Sequence, residues 1–441
     1  MKIYKYFLIL FPVVLFAQNN LQEYEGYYLF NQVYPDDYLE NPFWFPNNKE
    51  VQGITNDGEN WFITVTGHED LFGTSTGAKL WKIPLNVPLG SNSTNNPNVL
   101  SIDMEEIPEL ANENWHWGDP DHYKYNDTDY ILVPVYGGDL GYIIACFQAD
   151  NLEFISYSNI NSLGGSPGWC AIDNNGYLYS SSSETSTLKK YSVNWEIFTN
   201  PDNNDNALNL IETINLTFND AYYNTLKHMQ GGEFSNSGEL LYLVSGSAGG
   251  CVPCIDLNPW GGINCDGCGV LEKKVGPGQP ENSDGIHVFT TSNWTEIQTS
   301  IKDFSENEYF NYYFTNDNTG QSPEGLTVWD LEDINEVKGS LHVLIFDWDL
   351  ELFGGNNHDV GLFHFSHSVY VDKENGVIPP TYPLTGTQTN PFQTINDAYS
   401  FYPIWDGAQI VIKSGIYNDI GIYSTRIRMI SEGGTVIIGQ Q

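Results

Sequence analysis

The sequence predicts an all-β fold: a five-bladed or six-bladed β-propeller closed by an N-terminal strand, with a short partial β-helix-like segment behind it. Three observations carry this. The 441 residues include 42 Gly and 22 Pro and are 14% aromatic, and helix-period stretches are almost absent, a composition of many short strands and turns. One order of elements recurs: a Gly-containing strand, an Asn/Asp/Gly turn, an apolar strand, a third strand and usually a fourth. A lone four-stranded sheet cannot bury both its faces, whereas a ring of such sheets can.

In chain order, Lys2 and Lys5 precede the apolar run "YFLILFPVVLFA" (6–17) and the polar "QNN", the three-part pattern of a signal peptide, with cleavage expected after Ala17. That run is too short for a permanent span, and nothing later approaches the ~20 apolar residues a span needs. The mature chain is therefore expected to be secreted, extracellular or periplasmic, with no transmembrane segment. A lipid-anchored start is not expected, since the first cysteine is Cys146.

The repeat occupies residues 18–371. Its first strands read "VQGITND" (51–57), "HWGDPDHY" (116–123), "GWCAIDN" (168–174), "MQGGEFS" (229–235) and "EGLTVWD" (324–330). The second strands are "NWFITVTG", "DYILVPVYG", "GYLYSSSS", "ELLYLVSG" and "SLHVLIFDW". Third strands follow as "AKLWKIPL", "GYIIACFQA", "TLKKYSV", "GIHVFTTS" and "VGLFHFSHS". Fourth strands are "NVLSID", "LEFISYS", "LIETINLTF" and "EIQTSI". Only the fifth unit lacks a fourth strand, and the orphan segment "GYYLFNQV" (26–33) is expected to supply it, which removes the open edge. The interval from Gln230 to Glu324 leaves room for a sixth blade. Over residues 26–369 the "G…DG.LY" rhythm resembles secreted β-propeller proteins, an architecture that implies no single activity.

After a linker (372–389) the rhythm breaks. The stretch "NPFQTINDAYSFYPIWDGAQIVIKSGIYND" (390–419) resembles the opening of right-handed parallel β-helix proteins of the pectate-lyase type: a Pro-Phe entry, a short capping helix, then "AQIVIKSG". The resemblance implies a cap over residues 390–441 and carries no catalytic residue across. Solenoids need about three stacked repeats, and "GTVIIGQQ" comes after about two coils.

Charge narrows the partners. The formal net charge is −39, and loss of the two leader lysines leaves 15 basic against 56 acidic residues. Such a surface repels phosphate backbones and anionic membranes, so a nucleic-acid partner is not expected.

The most specific spacing is Cys251, Cys254, Cys265 and Cys268, a C-x2-C-x10-C-x2-C array. The spacing suits a tetrahedral zinc site, and the expected compartment suits two disulfides. Either way the cysteines are a structural staple for the loop 246–284. Cys146 and Cys170 read as buried small hydrophobes, with an inter-blade disulfide as the alternative.

Polar loops joining second to third strands, and links between blades, are expected to share one face. That face would collect His68, Glu69, Asp70, Trp115, His116, His228, Asp347, Asp349 and His358, the default pattern for a site. In "NWHWGDPDHYKYNDTD" (114–129) alternation would turn Asp119 or Asp121 toward the channel, beside His122, whereas Asn126, Asp127 and Asp129 read as turn formers. A channel calcium could collect Asp119 or Asp121 with Glu233 and Glu324 from separate first strands.

No motif for nucleophilic catalysis or phosphate cradling occurs. The sequence favours a non-enzymatic propeller that presents a polar, aromatic-rich face to a glycan or an extracellular protein. A hydrolase or lyase using His and Asp/Glu with calcium is the other reading, and it is weakened because the only arginines are Arg426 and Arg428, outside the repeat.

Overall fold

A computed structural model describes residues 22–30, 51–66, 68–69, 75–76, 78–87, 96–111, 116–201, 206–218, 223–236, 238–246, 285–301, 321–329, 331, 341–348, 358–366, 368–376, 391–401, 409–421 and 428–439. Two units divide the chain, Glu23–Phe365 on one side and Met1–Gln22 with Ser366–Gln441 on the other.

In the larger unit the strands are β1 (Gln22–Phe30), β2 (Val51–Asn56), β3 (Asn60–Val65), β4 (His68–Glu69), β5 (Ser75–Thr76), β6 (Lys79–Pro84) and β7 (Leu100–Asp103). They continue with β8 (His116–Trp117), β9 (Asp121–Tyr125), β10 (Thr128–Gly138), β11 (Gly141–Gln148) and β12 (Phe154–Asn159). Next come β13 (Ala171–Ile172), β14 (Leu178–Ser180), β15 (Thr187–Val193), the short helix α1 (Trp195–Phe198) and β16 (Leu208–Asn215). The last are β17 (Met229–Phe234), β18 (Leu240–Ser245), β19 (Gly285–Thr290), β20 (Glu296–Ile301), β21 (Gln321–Val328), β22 (Leu341–Trp348) and β23 (His358–Ser366).

These form successive antiparallel sheets in a propeller arrangement. The first has the order β2-β3-β6-β7, the second β8-β10-β11-β12 with β9 also on β10, the third β13-β14-β15-β16 and the fourth β17-β18-β19-β20. In the fifth the order is β21-β22-β23-β1, so the N-terminal strand lies at the outer edge of the last sheet. A small β4-β5 hairpin stands apart.

Burial explains the patterns read from the sequence. Second strands are covered on both faces, and β3 and β18 are buried at every position, which is why they read as continuous apolar runs. Outer strands are wet: β16 is exposed at six of its eight positions, including Leu210 and Ile211. Between sheets lie shared cores. Trp61 and Ile63 of the first sheet pack with Trp329, Leu344 and Leu362 of the fifth, and Phe62 and Leu80 pack with Trp117, Ile131 and Val133 of the second. Cys146 and Cys170 join the second to the third sheet, and Tyr179 and Leu188 pack with Leu241 and Phe289 of the fourth. Cys146 and Cys170 are both buried and unbridged, so the disulfide alternative is set aside, and burial pushes both thiols up.

The β9–β10 turn places Asn126 at φ 49° and Asp127 at φ 62°, the two positive values a tight hairpin turn of this hand needs. Asp129, expected in that turn, instead belongs to β10, where its carboxylate meets His122 Nε2 at 2.8 Å and Lys124 Nζ at 3.3 Å.

The smaller unit contains β24 (Ser368–Val371), α2 (Ile395–Phe401), β25 (Gln409–Tyr417) and β26 (Arg428–Ile438). Its three strands pair in parallel in the order β24-β25-β26, and the core is Val369, Val371, Phe392, Ile395, Ala398, Ile410, Ile412 and Tyr417. "NPF" therefore serves as packing: Phe392 bridges Val371 and is fully buried. No helix among the described residues is long and apolar enough to cross a membrane.

Candidate functional site

The recurring first-strand glycine has a steric cause. A methyl group at Gly53 would lie 2.2 Å from Asp119 Cα, and one at Gly325 would lie 2.5 Å from Gly53 Cα. Side chains are thus excluded where the first strands converge, and backbone takes their place.

Asp119 occupies that convergence with no exposed surface. Its Oδ1 accepts the Ile54 N–H at 2.9 Å, and its Oδ2 accepts the N–H groups of Gly232 at 3.1 Å and Leu326 at 3.4 Å. Its own N–H donates to Gly168 O at 2.8 Å, and its carbonyl accepts from Cys170 N at 3.2 Å. One aspartate beside the second sheet therefore holds backbone from the first strands of three others and from the segment that leads into β13. Burial pushes its carboxyl well up, against the three amide bonds that favour the charged form. With both oxygens committed, Asp119 is a structural keystone, not the channel ligand expected from the sequence.

Above it opens a cavity of about 500 Å3, lined from every sheet: Thr55 to Gly58, Asp121 to Lys124, Ile172 to Asn174, Glu233 to Asn236, and Val328. These residues lie where first strands end and first turns begin. The acids consequently meet at the opposite end of the axis from the second-to-third-strand loops on which the sequence reading placed the site.

Two carboxyl groups share the cavity floor. Asp121 is buried and accepts from Ile172 N and His122 N, the latter at 2.6 Å, with a further bond from Thr55. It is also hydrogen-bonded to Glu233, which is half-buried and borders the cavity. Burial raises both groups, Asp121 from 3.8 to about 7 and Glu233 well above its usual range, and the neighbouring acids Asp121 and Asp119 push Glu233 further in the same direction. The other acids on the rim are committed to turns: Asp57 accepts from Glu59 N and Asn60 N at 2.9 and 2.7 Å, and Asp173 from Asn175 N, Tyr177 N and the Tyr179 hydroxyl. Asn56 ties the rim to the fifth sheet through Thr327 Oγ1 at 2.8 Å, and Asn174 ties it to the fourth through Asn236 O at 3.2 Å.

Of the remaining candidates, His122 lines this cavity. His116 does not: its ring packs on Tyr136 at 4.2 Å, and burial pushes its imidazole down to about 4, leaving it neutral. His228 is exposed at φ 53° in the link before β17. Glu324 is buried at the β21 bulge beside Gly325 and does not border the cavity that Asp121 and Glu233 line, so the three expected calcium ligands do not all meet there. His68 pairs in register with Thr76 and His358 with Trp348, away from the axial cluster in the ladder, while Trp115 and the four cysteines Cys251, Cys254, Cys265 and Cys268 lie outside the described residues. Among the described residues no group of three or more His, Cys, Asp or Glu is placed to hold a metal.

Sequence reasoning missed a second polar cluster, inside the fourth sheet. His287 Nδ1 meets Glu296 Oε1 at 2.8 Å and His287 Nε2 meets Ser245 Oγ at 3.2 Å, while the Tyr223 hydroxyl donates to Glu296 Oε1 at 2.6 Å. The order is that of nucleophile, base and acid in a hydrolytic triad. Ser245 and His287 have no exposed surface, however, and neither cavity described here borders them. The available signal was a histidine inside the apolar third strand "GIHVFTTS" followed by Glu at the start of the next.

The fold and site thus define an all-β chain with a propeller arrangement and a polar axial cavity. No family model matches the sequence, and no curated protein matches it. Among solved structures it is similar to a GH43_1 enzyme from Xanthomonas citri complexed with xylose, at 8% identity and TM-score 0.37 over 72% of this chain and 88% of that one. A β-xylosidase structure gives 9% identity and TM-score 0.33 over 72% and 92%. A tail fiber of Staphylococcus aureus phage P68 gives 14% identity and TM-score 0.35 over 74% of this chain and 51% of that one. What the cavity can do is set by its own side chains.

Proposed function

We propose that this chain is an exported five-bladed binding propeller whose axial cavity takes a neutral sugar, without hydrolysing it. The observation that carries the reading is the direct hydrogen bond between Asp121 and Glu233 at the cavity floor. Glycoside hydrolysis needs two carboxyl groups about 5–10 Å apart, with the reacting bond between them. Asp121 and Glu233, hydrogen-bonded to each other while Asp121 also accepts from Ile172 N and His122 N, leave no such gap, and the remaining rim acids are occupied by turn amides. What remains is a recognition surface. Polar groups of Thr55, Asn174, Glu233, Ser235 and Asn236 surround apolar patches from Tyr123, Ile172 and Phe234, the mixture that a hydroxyl-rich ring with apolar faces requires. The acidic lining disfavours uronates, sulfated sugars and phosphates. The five-blade count is supported by the shared core between the fifth and first sheets and by the amide bonds that Asp119 collects around the axis.

Titration calorimetry of the mature protein against a panel of neutral monosaccharides tests this. We expect one sugar class to bind, and both Glu233→Gln and the exposed-rim change Asn236→Ala to weaken it about tenfold or more. The reading is lost if no sugar binds, or if new reducing ends accumulate and Glu233→Gln abolishes them; the second outcome restores the hydrolase.

A further inference from the structure

A second cleft lies beside the axial cavity. It encloses about 520 Å3 and is lined by Tyr125, Asn194, Trp195, Glu196 and Asn209, with Ser192 and Val193 completing the wall. Its walls come from the β9–β10 hairpin and from the segment joining β15 to β16. In a sheet of this topology, a first turn and a third-to-fourth connection leave the same end, so cleft and cavity open on one face of the propeller.

Aromatic rings connect the two. Tyr123, which lines the axial cavity, stacks on Trp195 at 4.3 Å with 17° between planes, and Tyr125, which lines the cleft, stacks on the same indole at 5.9 Å and 24°. Alternation along β9 explains this: residues two apart share a face, so both tyrosines meet one tryptophan while His122 and Lys124 turn the other way. Trp195 is itself buried in the core, its Nε1 donating to Gly176 O at 3.3 Å, so it backs the wall and the half-buried Tyr123 and Tyr125 form its accessible surface. Tyr125 is half-buried, whereas Asn194, Glu196 and Asn209 are exposed at the cleft edge.

We propose that this cleft is a second subsite for the same glycan, so that the ligand is an oligosaccharide whose end enters the axial cavity and whose next units cross the Tyr123–Trp195–Tyr125 wall. The inference rests on the axial reading and adds the ligand's length to it. Its chemistry agrees with that reading. An aromatic wall supplies an apolar surface for the carbon-bound hydrogens of a pyranose, and the two amides and one carboxylate at the edge supply donors and acceptors for hydroxyls. The cleft lining holds no cationic side chain and one anionic one, Glu196, so an acidic polysaccharide does not fit.

The test uses the full mature chain and neutral cello-, manno- and chito-oligosaccharides of one to six units, with affinity read against length. In the parent protein affinity rises about tenfold or more from one unit to the longer members, the gain expected of one added aromatic stacking contact with its hydrogen bonds. Tyr125→Ala removes that gain and leaves monosaccharide binding as it was. Because Tyr125 also supports Trp195, the exposed changes Asn209→Ala and Glu196→Gln serve as a second arm, each reducing the gain about two- to fivefold without unfolding the protein. The proposal is overturned if affinity does not grow with length, or if all three variants keep the full growth. Loss of growth with monosaccharide binding intact supports it. Oligosaccharide binding that is indifferent to Glu233→Gln and Asn236→Ala breaks the axial reading instead, and absence of any binding removes both.

Discussion

The acids at the axis and the Ser245, His287 and Glu296 array in the fourth sheet are both polar clusters set deep in a β-rich core; the first borders a cavity of about 500 Å3, and in the second Ser245 and His287 have no exposed surface. In the array, each partner is held by another: Glu296 receives both His287 and Tyr223, and Ser245 closes the far side of the imidazole. At the axis, Asp119 is saturated in the same way, but one layer higher Glu233 lines a cavity. A buried carboxyl is common to both clusters, and access separates them. A triad-like order of side chains with no exposed surface at Ser245 and His287 is thus a buried packing network, whereas the axial carboxyls meet a cavity.

The largest expected effect probes the saturated end of the comparison. Asp119→Ala strands three buried backbone amides at once, and at about 1–3 kcal/mol for each unmet donor the loss approaches the whole stability of an ordinary domain. Chemical denaturation should find the variant largely unfolded; a loss under about 2 kcal/mol would remove Asp119 from its role as keystone. Next, His287→Leu should cost about 2–4 kcal/mol, since Glu296 and Ser245 are left buried without it, while sugar affinity stays unchanged. A change in affinity would mean that the sealed array is linked to the site after all.

A smaller effect concerns pH. Asp121 and Glu233 titrate higher in the folded chain than in the unfolded one, so the folded state binds more protons between the two sets of values. Their contribution to stability is fully present below about pH 4 and is lost as pH rises through the folded value of Asp121, about 7. Glu233→Gln should flatten this slope, recovering about 1 kcal/mol at pH 8 relative to pH 5. An unchanged slope in a urea-denaturation series at several pH values would show that Glu233 is not raised in the folded state. Smallest is the β9–β10 turn: Asp127→Gly relieves a positive φ and should raise stability by about 0.5 kcal/mol with no change in binding.

Much of the architecture was legible because its causes are local. A glycine in each first strand reports close backbone approach, and the run of apolar residues in second strands reports burial on both faces. The "ND" of the second unit reports a turn with positive φ. Site chemistry was less legible, for reasons found in particular residues. Alternation predicted that Asp119 or Asp121 would face the axis, but Pro120 interrupts the strand, β8 ends at Trp117 and β9 begins at Asp121, so both aspartates reach the axis at different depths. The face expected to carry the site was chosen by loop polarity, whereas the acids converge where first strands end. His287 was passed over because a single polar residue in an apolar strand reveals nothing of Glu296 and Ser245 until the strands are in register.

The reach of Asp119 along the chain bears on how the ring is made. Its partners include Gly232, 113 positions away, and Leu326, 207 positions away. A growing polypeptide that has formed only its early sheets holds a desolvating acid with most of its hydrogen bonds unmet, and each later sheet delivers another amide. Partial assemblies are thereby penalised in proportion to what is missing, and the long sequence separations of these contacts raise contact order and slow folding.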